Sequence, residues 1–415
     1  MKNVFERFGF QFEKVAVSGY KSAFDEFTRT EIAPEDEKNT RWLLKTQIQS
    51  FKQIISNNRH LNFETIEKLI TNSPYLDSEA VEENIIDGIV RTEDLAEYLQ
   101  TDSDNPIKIV FISKILGMLP ISKSPSNKKI IALLPLTGLI VDGESRKPPF
   151  PIPLPIIDNE QIGDRTIVQA VRDIRKNTRI KGLILAVDSP GGSASASEEI
   201  RAALEKLSQI KPLIAYFTGV SASGGYYIST PANWIIAQPT TITGSIGVIS
   251  GRINYQGLLN KYEINTAVNQ EGERAHWGLP FEPFGVEERA SAQKILDQTY
   301  NHFIDHVVKS RKNKSYEEIK EIAGGKVWTG SQALENGLVD QLGSLKDAYD
   351  KICSLTNVSI KTPLVTIYPS KSENYPPFKS TKQNFSLNYL INNHISQLIS
   401  TKYWMCDFTS NFEIL

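Results

Sequence analysis

The sequence predicts an α/β fold built on a buried, largely parallel β-sheet. Apolar runs of strand length at residues 182–189 and 212–219 alternate with segments of helical periodicity at residues 166–180 and 197–210. This alternation is typical of βαβ units, whose parallel strands are covered on both faces and therefore lack a polar side. The chain has 415 residues, of which 40% are apolar, so it is long enough for two or three domains with cores of their own.

The other elements continue this pattern along the chain. The run IIALLPLTGLIV at residues 130–141 predicts the first strand of the sheet. A second apolar run at residues 234–250 predicts further strand structure. Beyond residue 356 the chain contains proline and serine, and residues 387–399 predict one amphipathic helix in a tail or a contact between subunits.

The composition excludes several classes of protein. The 46 basic and 48 acidic side chains nearly balance, so no overall charge favours nucleic acid or an anionic membrane as a partner. The two cysteines, Cys353 and Cys406, are too few for a disulfide framework and show no metal-ligand spacing. We therefore expect a fold held together by packing, with no cofactor and no metal ion.

Two segments bear on membrane association. Residues 1–17 carry charges every few positions, so we expect neither a signal peptide nor a membrane anchor there. Residues 107–121 are shorter than the roughly 20 apolar residues that a spanning helix needs, and they include Lys108 and Lys114. We expect this segment to be a packed or interfacial helix rather than a membrane span.

The chain also contains an internal repeat with unequal copies. FKQIISNNR at residues 51–59 matches FIDHVVKSR at residues 303–311, at an offset of 252 positions. One inserted residue later, AVEENIID at residues 80–87 matches ALENGLVD at residues 333–340. Before this shared block only the second copy has an α/β region, over residues 128–265. The sequence thus predicts one complete repeat preceded by a truncated one.

This repeat divides the chain into four expected parts. Residues 1–100 form the truncated first repeat, which is mostly helical, and residues 101–127 form a linker. Residues 128–355 form the complete repeat, and residues 356–415 form the C-terminal tail.

Two glycine-rich turns follow strands of the predicted sheet, DSPGGS at residues 188–193 and SASGGYY at residues 221–227. Each turn alone could be a simple connection, but parallel sheets gather functional groups at the carboxyl ends of their strands. Glycines there allow close approach of a ligand, and the following amides can donate to an oxyanion. Ser223 is the best candidate nucleophile because a Gly-Gly pair follows it directly. Ser221 and Ser229 are expected to be a helix cap and a packed hydroxyl.

Together with TGSIGV at residues 243–248, these turns resemble the signature of the signal peptide peptidase A family, also called protease IV. The resemblance covers about residues 128–350, and the first copy resembles the end of the N-terminal half of the family's long, tandem-repeat form. It implies a fold related to Clp protease and crotonase, and a peptidase with a serine nucleophile and a lysine base. It also implies that the Ser245 hydroxyl orients the lysine amine.

The histidines offer no base for Ser223. None of the five lies in a recognisable triad context: His60, His276, His302, His306 and His394. His302 and His306 are four residues apart, a spacing that can bind metal, but no third ligand is evident and we expect a solvated helix face. A lysine is the alternative, because burial lowers the pKa of its ammonium group until the neutral amine can accept a proton.

The internal repeat identifies that lysine. Short members of the family carry it in a segment that corresponds here to NQEGERAHWG, residues 269–278, which contains Arg274 and no lysine. A guanidinium stays protonated, so Arg274 can hold a substrate oxygen but cannot act as a general base. The matching segment of the first copy, residues 16–27, places Lys21 at the position aligned with residue 273. Because the N-terminal half supplies the lysine in the long form, we identify Lys21 as the base.

The sequence therefore predicts a serine endopeptidase. Ser223 would attack, Lys21 would be the base, and the amides of Gly224 and of either Gly191 or Gly192 would stabilise the oxyanion. The resemblance implies that the substrates are signal-peptide remnants and that the protein is a homo-oligomer. It also implies association with a bacterial inner membrane or a plastid membrane, with the site on the extracytoplasmic side.

Two other classes of function stay open at this point. A crotonase-type acyl-CoA enzyme would use a similar pair of amides but no serine nucleophile. A catalytically inactive or partner-dependent subunit is suggested by the α/β region that the first copy lacks.

Overall fold

The computed structural model describes residues 1–100, 128–146, 160–369 and 404–406. The described helices are α1 (Lys2–Arg7), α2 (Asp25–Thr28), α3 (Pro34–Arg59), α4 (Phe63–Thr71), α5 (Asp77–Glu82), α6 (Leu95–Tyr98), α7 (Asp164–Lys176), α8 (Ala194–Ser208), α9 (Gly224–Ser229), α10 (Gln256–Lys261), α11 (Val286–Ser310), α12 (Tyr316–Ile322), α13 (Gly330–Glu335) and α14 (Leu345–Thr356). The described strands are β1 (Gln11–Ala16), β2 (Ile130–Thr137), β3 (Leu139–Val141), β4 (Gln161–Gly163), β5 (Ile180–Ser189), β6 (Gly191–Ser193), β7 (Leu213–Ala222), β8 (Trp234–Ala237), β9 (Ile242–Gly244), β10 (Ile249–Asn254), β11 (Val327–Thr329), β12 (Gln341–Leu342), β13 (Leu364–Thr366) and β14 (Trp404–Cys406).

The larger sheet has the strand order β11-β9-β7-β5-β2-β13, and β8 and β12 continue from β7. Every pairing in it is parallel except that of β11 with β9. Successive residues of β5 belong to different apolar layers: Leu183 and Leu185 to one, and Ile184 to the other together with Ile352 of α14. The sheet is thus buried on both faces, as its continuous apolar strands predict. The predicted α/β fold class is confirmed.

A second sheet has the order β1-β10-β14-β6-β3-β4. In it β1 pairs antiparallel with β10 over six residues, from Gln11 opposite Asn254 to Ala16 opposite Ile249. The three residues of β14 lie between β10 and β6 and are antiparallel to both. The strand of the first copy is therefore part of a sheet that the second copy builds, and the chain after β1 leads directly to Lys21.

A buried guanidinium holds β1 against β10 and α11. Arg252, which is 1% exposed, lies 2.8 Å from a carboxylate oxygen of Glu13 in β1 and 2.9 Å from one of Glu288 in α11. Its planar group stacks 3.8 Å from the centre of the Phe284 ring, and it donates to the Glu282 carbonyl. Because all these groups are largely withdrawn from water, their pairing stabilises one particular placement of β1.

Two compact units divide the chain. Met1–Thr46 and Lys129–Leu415 form the first, and Gln47–Lys128 forms the second. Within the second unit, Arg59 and Asp87 make a two-pronged ion pair. The domain limits expected from the repeat stay a prediction. None of the described helices has both the length and the apolar character needed to cross a membrane.

The elements differ from the sequence expectation at several turns. The apolar run at residues 130–141 forms two strands, β2 and β3, which are separated by Gly138. Gly138 has a φ of +102°, and an added Cβ would lie 2.0 Å from the Glu160 carbonyl oxygen, so this break requires glycine. The run at residues 234–250 divides among β8, β9 and the start of β10. The helices expected at residues 107–121 and 387–399 lie outside the described residues.

Candidate active site

Ser223 occupies a strained turn between β7 and α9. Its φ of +54° and ψ of −118° lie in a region that residues other than glycine rarely adopt. The turn is fixed by hydrogen bonds from its amide to the Gly244 carbonyl and from the Tyr227 amide to its own carbonyl, both 2.9 Å. All six residues of α9 are buried. The hydroxyl is thereby held in one place at the carboxyl end of a sheet strand, where the sequence predicted it.

Lys21 reaches this turn from the first copy. Its amine Nζ lies 3.0 Å from Ser223 Oγ and 2.8 Å from Ser245 Oγ, and none of the three side chains has exposed surface. Ser245 directly follows β9 and has a φ of +49°, and its amide donates to the Lys326 carbonyl at 2.7 Å. The structure therefore brings together the predicted serine, the predicted lysine and the hydroxyl expected to orient the lysine.

The lysine segment packs closely against residues 324–328. Gly325, with a φ of +90°, leaves the space that the Lys21 side chain fills, since an added Cβ would lie 2.7 Å from Lys21 Cγ. The Ser18 hydroxyl donates to the Gly324 carbonyl. Beside this contact the rings of Tyr20, Trp42 and Trp328 are stacked, with centroids 5.9 and 4.9 Å apart. These contacts fix the backbone on both sides of Lys21.

The two glycine turns lie against each other. A Cβ added to Gly224 would lie 3.1 Å from Gly191 Cα and 2.6 Å from Ser197 Oγ, so only glycine permits this approach. Gly192 has a φ of +149°, and an added Cβ would lie 2.0 Å from the Ile140 carbonyl oxygen. The Gly191 amide already donates to Ser189 Oγ at 3.2 Å, which favours Gly192 as the second donor to an oxyanion.

Other predicted residues lie outside this cluster. Ser221 is not the expected helix cap, because it lies within β7 and its hydroxyl donates to the Val187 carbonyl. Ser229 is a packed hydroxyl that donates to the Gly225 carbonyl. Arg274 is exposed, and its guanidinium lies 4.8 Å from the centre of the Trp277 ring. In the part of the chain that the structure describes, no group of three His, Cys, Asp or Glu side chains is arranged to hold a metal ion.

One set of contacts near Ser223 was not predicted. Glu198 of α8 accepts a hydrogen bond from the Tyr227 hydroxyl of α9, and the His306 ring packs edge-on against Tyr227. His302 is exposed, as expected for a solvated helix face. The same expectation is wrong for His306, which is partly buried because the neighbouring Phe303 and Val307 turn this side of α11 towards the core. The apolar residues beside His306 in the sequence were the one signal that it packs inwards, and they do not identify Tyr227 or Glu198 as its neighbours.

Comparisons with known proteins bear on the chemistry of this cluster. The model of peptidase family S49 matches residues 1–105 and 205–359. An Enterococcus faecium protein assigned as a signal peptide peptidase SppA is 34% identical over 65% of this chain and 76% of its own length. Protease 4 of Haemophilus influenzae is 30% identical over 82% of this chain. The chloroplastic serine protease SPPA of Arabidopsis thaliana is 29% identical over 83%. The chain spans 55% and 50% of the length of these last two relatives.

Proposed function

The chain belongs to peptidase family S49, as its motifs predicted, and from this premise we propose that it is a serine endopeptidase with Ser223 as nucleophile and Lys21 as general base. The observation that carries the proposal is the 3.0 Å separation of Lys21 Nζ and Ser223 Oγ, two buried atoms whose residues are 202 positions apart in sequence. This distance allows direct proton transfer between the two groups.

The burial of Lys21 supports its role as a base. An ammonium group that loses its hydration is disfavoured relative to the neutral amine, and the neutral amine is the form that accepts a proton. The Ser245 hydroxyl, 2.8 Å from Nζ, provides a second contact that aims the amine lone pair at Ser223. Ser245 thus acts as a positioning residue for the amine.

The reaction then follows the course of acyl transfer. Ser223 Oγ attacks the carbonyl carbon of the scissile bond while its proton passes to Lys21 Nζ. The amides of Gly224 and Gly192 donate to the oxyanion of the tetrahedral intermediate. The Lys21 ammonium gives its proton to the leaving amine, which departs and leaves an acyl-enzyme. A water molecule attacks the ester carbonyl as Lys21 takes its proton, and Lys21 then gives this proton to Ser223 Oγ as the acid product leaves.

The surroundings of β6 support an extended peptide as substrate. The segment β14 of the same chain pairs antiparallel with Gly191–Ser193, and a peptide substrate would pair with this edge of β6 in place of β14. A peptide bound in this way makes backbone hydrogen bonds that depend little on its sequence. We propose that residues 243–248, the segment that contains Ser245, form part of the substrate pocket and that the pocket prefers small or apolar residues before the cleaved bond.

Signal-peptide remnants have this chemistry, and we include them in the proposal as the substrate class. One relative is assigned as a signal peptide peptidase. The proposal also includes a homo-oligomer that works at a membrane, on its extracytoplasmic side, as the family resemblance implies.

The proposal is tested with Ser223→Ala and the matched variant Ser221→Ala. Both changes remove one buried hydroxyl from the same turn, but only Ser223 lies beside Lys21. We expect Ser223→Ala to lose peptide hydrolysis by at least ~10³-fold and to lose labelling by a fluorescent phosphonate, while Ser221→Ala keeps both. Mass spectrometry of the labelled parent protein should place the phosphonate on Ser223.

The other two classes of function give different results in this assay. A crotonase-type acyl-CoA enzyme would not be phosphonylated at Ser223 by the probe. A non-catalytic subunit would be correctly folded and inert towards both casein and the probe. Either result for the parent protein would end the peptidase proposal.

A further inference from the structure

The helices that follow the two glycine turns are joined by a partly buried hydrogen bond between side chains. The Tyr227 hydroxyl of α9 donates to Glu198 Oε2 of α8 at 2.6 Å, and Tyr227 is 5% exposed. α9 begins directly after Ser223, and α8 begins directly after β6. The bond therefore joins α9, which begins with Gly224, to α8, the helix that directly follows the strand of Gly192.

Both partners of this bond are fixed in place. Arg201, itself 5% exposed, holds the two oxygens of Glu198 with Nε and Nη2 at 2.7 and 2.8 Å, a geometry that leaves the carboxylate little freedom. On its other side the Tyr227 ring packs edge-on against Phe303, with ring centroids 4.8 Å apart. Phe303 has no exposed surface.

The protonation states of Tyr227 and Glu198 are those that a hydrogen bond from the phenol to the carboxylate requires. Burial, reinforced by the bond to Glu198, raises the pKa of Tyr227 well above its usual range, so the phenol keeps its proton. Burial alone would raise the pKa of Glu198, but hydrogen bonds from Arg201 and Tyr227 outweigh it and the pKa lies below its usual value. Burial and then the Arg201 charge lower the pKa of His306, whose Nε2 is 3.9 Å from Glu198. A neutral phenol thus donates to a carboxylate near pH 7.

Each helix is in turn rigidly connected to its glycine turn. The Tyr227 amide closes the first turn of α9 on the Ser223 carbonyl at 2.9 Å. The Ser197 hydroxyl closes the first turn of α8 on the Ser193 carbonyl at 2.8 Å, and Ser193 Oγ caps the same helix through the Ala196 amide. A change in the distance between the helices is therefore transmitted to the distance between the two turns.

We propose that Tyr227 and Glu198 are positioning residues that set the separation of the Gly224 and Gly192 amides, and so complete the oxyanion site. This inference rests on the proposed function. Two donors stabilise one oxyanion only when both lie about 2.7–3.1 Å from it, so a small change in their separation weakens one of the two bonds. The interaction is made in the transition state and not with the bound peptide, so its loss lowers kcat with little effect on KM.

The test compares Tyr227→Phe with Tyr226→Phe. Tyr226 is the neighbouring residue of α9, is fully buried, and donates its hydroxyl to the Leu338 carbonyl at 2.7 Å, away from α8. Each variant loses one hydrogen bond on the same helix. The bond of Tyr226 is buried and that of Tyr227 is partly buried, so a merely structural effect should be at least as large in Tyr226→Phe. We expect kcat to fall at least ~10-fold in Tyr227→Phe with KM within about twofold of the parent, and both parameters of Tyr226→Phe to stay near the parent's.

A second readout reports on the transition state directly. The affinity of a peptide boronate, whose tetrahedral adduct places an oxygen in the oxyanion site, should fall in Tyr227→Phe by the same factor as kcat/KM. Glu198→Gln, which keeps an acceptor for the phenol, should retain most of kcat, whereas Glu198→Ala should match Tyr227→Phe. The double variant Tyr227→Phe/Glu198→Ala should be no slower than either single variant.

Each contrary outcome has a distinct meaning. An active parent protein with equal kcat in Tyr227→Phe and Tyr226→Phe would overturn the positioning role and leave the proposed function intact. Additive losses in the double variant would also overturn it. A parent protein that neither hydrolyses peptides nor reacts with a phosphonate would overturn the proposed function, and the positioning role with it.

Discussion

Lys21 and Ser223 lie in different copies of an internal repeat, and this arrangement makes the role of the lysine testable by one conservative change. Lys21→Arg keeps the positive charge, but a guanidinium cannot release its proton at any ordinary pH. If Lys21 is the base, Ser223 should react with the phosphonate at least ~10²-fold more slowly in both Lys21→Arg and Lys21→Ala. The measurement is the rate of phosphonate labelling of each variant.

A control for this change is Lys211→Arg. Lys211 is also a buried lysine, but its amine donates to the carbonyls of Ile174 and Asn177, so this variant should label at the parental rate. The parental rate should also fall towards low pH, because the base acts only when it has lost its proton. Parental labelling of Lys21→Arg would show that another group removes the proton from Ser223.

The sequence was informative about residues that belong to motifs. Ser223 precedes a Gly-Gly pair, Lys21 is aligned by the repeat, and Ser245 lies in TGSIGV, so each has a local signal. The bond between Glu198 and Tyr227 has none, because it joins two helices 29 positions apart and depends on how the helices pack. Packing between helices is set by the whole core, which no short stretch of sequence encodes.

At the scale of elements, β1 is the part of the first copy that carries Lys21 to the site. It is held by its pairing with β10 and by Arg252, whose partners Glu13 and Glu288 belong to β1 and α11. Arg252→Met would leave these two carboxylates buried without their cation. We expect the free energy of unfolding to fall by about 3–5 kcal/mol, measured by urea denaturation, and peptide hydrolysis to fall as β1 loosens.

The exposed pair of Arg41 and Glu37 provides the control for this change. Both side chains are mostly in water, so Arg41→Met should change the free energy of unfolding by less than about 0.5 kcal/mol. Parental stability and activity in Arg252→Met would show that the pairing of β1 with β10 is sufficient without the buried charge.

The sequence predicted the type of an element correctly where burial on both faces determined its composition. Strands β5 and β7 are covered on both faces, so their central residues 182–187 and 213–217 form continuous apolar runs. The first copy was expected to be mostly helical, and β1 was missed, because QFEKVA mixes charged and apolar residues at the edge of a small sheet. Its strand structure follows from the partner β10, which lies far away in sequence.

At the scale of the whole molecule, the structure assembles both halves of the proposed dyad within one chain. β1 and β10 of the same chain pair along six residues, and the Lys21 segment continues from this pairing to Ser223. In a homo-oligomer each site would then be complete without a residue from a neighbour. Exchange of β1 between subunits is the alternative, because exchange of an identical element between protomers is a low-cost route to an oligomer.

The two arrangements are distinguished by combining two inactive variants. Lys21→Ala keeps Ser223, and Ser223→Ala keeps Lys21, so a site shared between chains would be restored in a mixed assembly. If each dyad forms within one chain, the two variants co-expressed with different affinity tags and purified through both tags should be as inactive as either alone. Co-expression of the parent with Lys21→Ala, purified in the same way, provides the positive control, because the parental subunits should keep their full activity. Recovery of about a quarter of the parental activity in the doubly inactive mixture, the value for random exchange of β1, would show that the lysine comes from a second copy of the chain.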